Sequence, residues 1–178
     1  MAGAADRCWN IPVTIRFRLA KPSDVRAIAA LVGPYATRGI LVEKELIAYF
    51  EDVQEFIVAH REDTLVGCGA LHVLWDDIAE VRTLAVSPEA LGTGVGHLLL
   101  EKLEQRARSL ELRRLFCLTF EVDFFASHGF TEIEGTPIGT DVYQEMLLSH
   151  DDGVAEFLDL AKVKPNTLGN TRMLKELW

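Results

Sequence analysis

Residues 14–19 (TIRFRL) alternate polar and apolar side chains, which predicts a strand with one buried face. Pro22-Ser23-Asp24 follows, and Ser23 is the expected N-cap of a helix whose apolar positions, Val25, Ile28 and Val32, recur at helical spacing. Gly33-Pro34 is expected to stop that helix. A short helix is predicted over 44–51, with Leu46, Ile47 and Phe50 facing inward. Strands follow over 56–60 and 65–75, joined by a polar turn at Arg61-Glu62-Asp63, and a fourth strand covers 79–86. A long amphipathic helix over 94–109 is expected to bury Leu98, Leu99, Leu103 and Ala107. Residues 115–120 (LFCLTF) read as a buried central strand, and residues 123–128 as a short helix stopped by Gly129. Residues 141–149 form one more amphipathic segment, and 164–170 (KPNTLGN) read as irregular. This order of elements, without repeat or linker, predicts one α/β or α+β domain over residues 1–178.

Composition narrows the partners. The formal net charge is −9 and no cluster of lysine and arginine stands out, so no nucleic acid is expected. No apolar run reaches the roughly 18 residues needed to span a bilayer, and residues 1–19 lack the long apolar stretch of a secretory signal. A cytoplasmic protein with no membrane partner is the expectation. Cys8, Cys68 and Cys117 are odd in number and lack C-x-x-C spacing, and the five histidines show no metal-ligand spacing, so no metal is expected.

The chemistry concentrates where the fourth strand runs out. Leu91-Gly92-Thr93-Gly94-Val95-Gly96-His97 places three alternating glycines at the start of the long helix. Glycine admits positive φ and close approach of a ligand, and the unpaired N–H groups of the first helical turn converge on an anion. A dinucleotide fingerprint requires glycine where His97 stands, and no Gly-Lys-Ser/Thr of a Walker loop is present.

The turn resembles the acetyl-CoA pyrophosphate loop of the GNAT superfamily, whose pattern is R/Q-x-x-G-x-G/A. Residues 124–130 (FFASHGF) are similar to the late GNAT segment F-Y-x-x-x-G-F. Leu91 replaces the usual arginine or glutamine, and Phe125 replaces the tyrosine that protonates the leaving thiolate in many members. Within the superfamily, residues 39–44 (GILVEK), 66–71 (VGCGAL) and 79–86 (AEVRTLAV) resemble N-acetylglutamate synthase in a short, stand-alone form. The resemblance implies a mixed, mostly antiparallel central sheet flanked by helices, with acetyl-CoA as co-substrate. The acceptor it implies is the α-amino group of glutamate or glutamine, and a homodimer is one expected assembly.

The resemblance also assigns roles. Glu80 aligns with the general base. The main chain of Leu84, Ala85 and Val86 would serve the oxyanion and the pantetheine arm, and Leu91, Gly92, Thr93, Gly94, Val95, Gly96, His97 and Phe125 complete the cofactor set. Leu41, Lys44 and Cys68 would hold the α-carboxylate of the acceptor, Leu41 and Cys68 through backbone N–H groups. Arg82 shares a strand face with Glu80 and ranks first for the side-chain end of the acceptor, with Arg172, Lys164, Asn166 and Asn170 as further candidates. Two other readings keep the glycine turn: a GNAT enzyme acting on another amine or a protein N-terminus, and a non-catalytic acetyl-CoA sensor.

Overall fold

The computed structural model describes residues 14–160 and 169–178. Seven strands form one sheet in the order β1-β2-β3-β4-β5-β7-β6. They are β1 (Ile15–Leu19), β2 (Phe56–Arg61), β3 (Thr64–Val73), β4 (Ile78–Val86), β5 (Arg114–Thr119), β6 (Thr131–Glu132) and β7 (Thr171–Glu176). All neighbours pair antiparallel except β4 and β5, which run parallel. The expected mixed, mostly antiparallel α/β sheet is the one observed.

Among the described residues, six α-helices flank the sheet: α1 (Val25–Thr37), α2 (Leu46–Glu51), α3 (Val95–Ser109), α4 (Val122–Ser127), α5 (Thr140–Met146) and α6 (Asp152–Phe157). Alternate strand residues separate the two faces. Leu71, Ala79 and Val81 join the core under α3, with Leu99, Leu100, Leu103 and Ala107. Cys68 and Ala70 turn to the other face and meet Val25, Ile28 and Val32 of α1. A third cluster packs Phe116 of β5 edge-on to Phe157 of α6, with ring centroids 4.9 Å apart.

Several local expectations need correction. Ser23 does not cap α1. Asp24 accepts the Lys21 N–H at 2.7 Å and a forked pair from Arg18 at 2.6 and 2.9 Å, so the turn is organised by a buried carboxylate one residue later. Gly33-Pro34 does not stop α1, which continues to Thr37. Proline removes one N–H donor, and the packed stripe of Val25, Ile28 and Val32 holds the helix through that gap. On α2 the buried residue is Tyr49, while Ile47 is 62% exposed, because a helix this short turns only one side chain toward Phe56. In α3 Leu99, Leu103 and Ala107 are buried as expected, but the further buried leucine is Leu100, and Leu98 lies on the exposed side. Strands β6 and β7 and helix α6 lie where the sequence pattern predicts no element.

Candidate active site

Strands β4 and β5 pair over only three steps, from Ile78 opposite Arg114 to Glu80 opposite Phe116. Beyond Glu80 they part. The cause is a bulge in β4: Cys68 faces Ala85 and Ala70 faces Arg82, so Thr83 and Leu84 oppose Gly69 alone. Thr83 carries φ +52°, a conformation that β-branched residues rarely adopt. The bulge takes main-chain groups out of the ladder beside the opening, which Thr83 and Leu84 line.

Two recesses meet there. One, of 480 Å³, runs from the bulge to the glycine turn, between Leu84–Val86 on one side and residues 118–121 with Phe124 and Phe125 on the other. The second, of 840 Å³, lies over Glu80 and Arg82, between residues 40–45 and the start of α6. Ile40, Leu41, Val81, Thr83 and Leu118 line both. Glu80, 4% exposed, lines the second recess, next in sequence to Val81, which borders both.

At the far end of the first recess, Gly92 (φ +72°) and Gly94 (φ +86°) bend the chain into α3. Gly94 is the N-cap and no side chain caps the helix. The N–H groups of the first turn therefore remain available to an outside acceptor. A Cβ added at either glycine would meet no atom within 4 Å, so the concavity in front of the turn is open. Apolar walls leading to an uncapped helix start suit an elongated thioester with a phosphate end.

Electrostatics organise the second recess. The Arg82 Nε donates to Glu80 Oε2 at 2.6 Å, and its Nη2 donates to Asp151 Oδ1 at 2.7 Å. Burial opposes the charge on Arg82, but the two carboxylates outweigh it and raise its pKa. Burial pushes the Asp151 carboxyl up, whereas Arg82 and the Val154 N–H pull it down further, to about 2. A Cβ at Gly153 would collide with the guanidinium, so glycine there permits the clasp. Eight carboxylates line this recess against two cations among the described residues. Both cations are engaged, Lys44 by Asp52 at 2.9 Å.

The structure brings most of the expected site residues together. Leu84, Ala85, Val86, Leu91, Gly92, Gly94, Gly96, His97 and Phe125 line the first recess. The Thr93 hydroxyl turns back to the Ala90 carbonyl and Val95 is buried in the core, so these two contribute only main chain. Leu41, Lys44, Glu80, Arg82 and Asn170 line the second recess. Cys68 reaches neither. It is fully buried in β3 with its Sγ on the Thr83 carbonyl, and burial pushes its thiol up to about 12. Arg172 is engaged elsewhere, donating to the Gly135, Glu156 and Phe157 carbonyls and packing on the Phe116 ring. Lys164 and Asn166 lie outside the described residues.

Three residues at the site escaped the sequence reading. Asp151 is 69 positions from Arg82, with no local pattern to link them. Tyr35, on α1, lines the first recess and donates its hydroxyl to the Val86 carbonyl. His128 pairs with His97 across 31 positions.

Comparison with known proteins agrees with this geometry. Residues 27–133 match the Acetyltransferase (GNAT) family. The chain is 58% identical over 160 residues to the amino-acid acetyltransferase of Mycobacterium tuberculosis, spanning 88% of this chain and 91% of that one. It is 36% identical over 117 residues to the amino-acid acetyltransferase of Pseudomonas aeruginosa, 65% of this chain but 27% of that longer protein. A Mycobacterium tuberculosis protein solved in complex with CoA and NLQ superposes with a TM-score of 0.88 at 57% identity, covering 92% of this chain and 99% of that one. The N-acetylglutamate synthase of Neisseria gonorrhoeae, complexed with coenzyme A and N-acetyl-glutamate, gives 0.74 at 25% identity, covering 93% of this chain and 35% of that one. With a family match across more than half its length and a splayed sheet opening beside a glycine turn, the chain belongs to the GNAT family of acetyltransferases.

Proposed function

We propose that the protein transfers acetyl from acetyl-CoA to the α-amino group of glutamate or glutamine, the first step of arginine biosynthesis. The observation that carries this reading is Glu80, buried in an amino-acid-sized recess that adjoins, through Val81, a phosphate-accepting one. Bound acetyl-CoA supplies an activated thioester. The N–H groups after Gly94 hold its phosphates, and Leu84 and Val86 lie along its pantetheine arm. The Leu84 N–H, out of register at the bulge, serves the oxyanion. Only the unprotonated amine can attack, and Glu80 takes its proton directly or through a water. Arg82 positions that carboxylate and Asp151 positions Arg82.

Lys44 and the main chain at Leu41 hold the α-carboxylate of the acceptor. The Leu41 N–H makes only a long 3.4 Å bond to the Tyr35 carbonyl, which a carboxylate can replace. The charge of the second recess then ranks the two acceptors. Its carboxylates already outnumber its cations, so a second carboxylate on glutamate adds repulsion that the neutral amide of glutamine avoids.

Thiol release from acetyl-CoA tests this directly. Glutamine is expected to give the highest kcat/KM, glutamate less, and glutamine α-amide almost none, because an amide offers Lys44 and the Leu41 N–H no carboxylate to replace the contacts they already have. Comparable rates with the α-amide or with amines lacking any carboxylate would overturn the amino-acid reading. Faster turnover of glutamate than glutamine would overturn the charge argument alone.

A further inference from the structure

The phosphates are the anionic part of the proposed acetyl donor, yet no lysine or arginine lines the glycine-turn recess among the described residues. Its titratable lining is Tyr35, His97 and Glu121, of which only His97 can become a cation. At position 91, beside the turn, stands an exposed leucine.

His97 is the third residue of α3, and it is not alone. Its Nδ1 lies 2.7 Å from Nε2 of His128, and the two rings stack with centroids 5.0 Å apart. Phe124 packs against both, at 4.9 and 5.3 Å. At that separation one ring donates and the other accepts a single shared hydrogen. The pair has room for one further proton, on an outer nitrogen; a second would set two N–H groups against each other. One added proton therefore converts the dyad into a shared monocation at the mouth of an uncapped helix.

We propose that His97 and His128 form a proton-linked phosphate contact, taking up one proton as the phosphate end of CoA binds. The inference rests on the acetyl-CoA reading above. In the free protein, burial and the neighbouring His97 hold His128 below the ordinary histidine value. Lys175 of β7 acts in the same direction, while Glu104 and Glu101 of α3 oppose it. Much of the opposition from Glu104 is spent, since its carboxylate accepts the Lys175 ammonium at 2.6 Å. An arriving phosphate opposes that shift and raises the proton affinity of the dyad. The sign follows: the pKa of the bound state exceeds that of the free state, so CoA binds more tightly as pH falls through the bound-state value.

Isothermal titration of the full chain with CoA at pH 7, in buffers of low and high ionisation enthalpy, measures the proton uptake. A substantial fraction of one proton is expected, with Kd weakening about five- to tenfold from pH 6 to pH 8.5, the gain of a charge-assisted over a neutral hydrogen bond. Pantetheine, which has no phosphate, should bind without uptake. Dephospho-CoA distinguishes the sources: retained uptake assigns the contact to the pyrophosphate, lost uptake to the 3′-phosphate. His97→Asn and His128→Asn should each abolish the uptake and flatten the pH dependence. CoA binding without proton uptake by the unaltered protein, or unchanged uptake in either variant, overturns the dyad and leaves the acetyltransferase reading standing. No CoA binding at all overturns both. The titration of the unaltered protein decides the matter even if a variant does not fold.

Discussion

A carboxylate as buried as Glu80 is costly unless a partner compensates it, and Arg82 supplies that partner at 2.6 Å. Asp151 in turn neutralises Arg82, so the chain of charges ends at a partly exposed group. With Glu80 as the base, Glu80→Gln keeps a hydrogen-bonding group of similar shape and removes the charge that accepts the proton, while Asp151 still compensates Arg82. We expect kcat to fall on the order of 10²- to 10⁴-fold, with the Kd for CoA within about twofold of the unaltered protein. Steady-state kinetics with calorimetry checks both, and a variant keeping more than half the turnover would make Glu80 structural. Glu80 and its proximity to Arg82 were legible in the sequence, because two residues apart on a strand means one face. Asp151 was not legible, since nothing in its neighbourhood marks it as the partner of a residue 69 positions earlier.

Among the elements, the join from β4 to α3 was read most fully from sequence. Three glycines between an apolar strand and an amphipathic helix admit few structures, and the positive φ of Gly92 and Gly94 follows from that pattern. Gly94→Val forces a branched residue into the left-handed region at the N-cap. We expect a loss of about 1–2 kcal/mol in stability and no measurable CoA binding by a folded variant. Denaturant unfolding and calorimetry separate the two effects, and unchanged CoA affinity would remove the phosphate assignment. Elements without such punctuation were read less well. In α3 one member of the buried stripe is Leu100 instead of Leu98, because a run of three leucines has no polar member to mark the outer face. The Pro34 step in α1 failed for a related reason: one lost hydrogen bond is a local cost, whereas the packed stripe of Val25, Ile28 and Val32 is a tertiary gain.

For the whole molecule, Asp151 ties the start of α6 to the middle of β4, and so joins the late part of the chain to the central sheet. Its carboxyl is held near 2 against an unfolded value of 3.8. A depressed folded-state pKa contributes stability above the unfolded value, and that contribution disappears as pH falls from about 4 toward 2. Thermal unfolding at pH 6 and at pH 2.5 should therefore show Asp151→Asn lowering Tm at the higher pH, with the gap narrowing at the lower. An equal gap at both pH values would mean that the charge does not carry the tie. What the sequence determined by itself was whatever local rules govern: the alternation of β1, the succession of β2, β3 and β4, and the glycine turn. Tertiary structure decided the pairing of distant groups and the shape between them. The insertion of β7 between β5 and β6, the bulge at Thr83 that parts β4 from β5, the clasp of Arg82 by Asp151 and the His97–His128 pair all depend on contacts between segments far apart in the chain. Such contacts are selected by burial and charge compensation once the sheet has formed, and no spacing along the sequence encodes them.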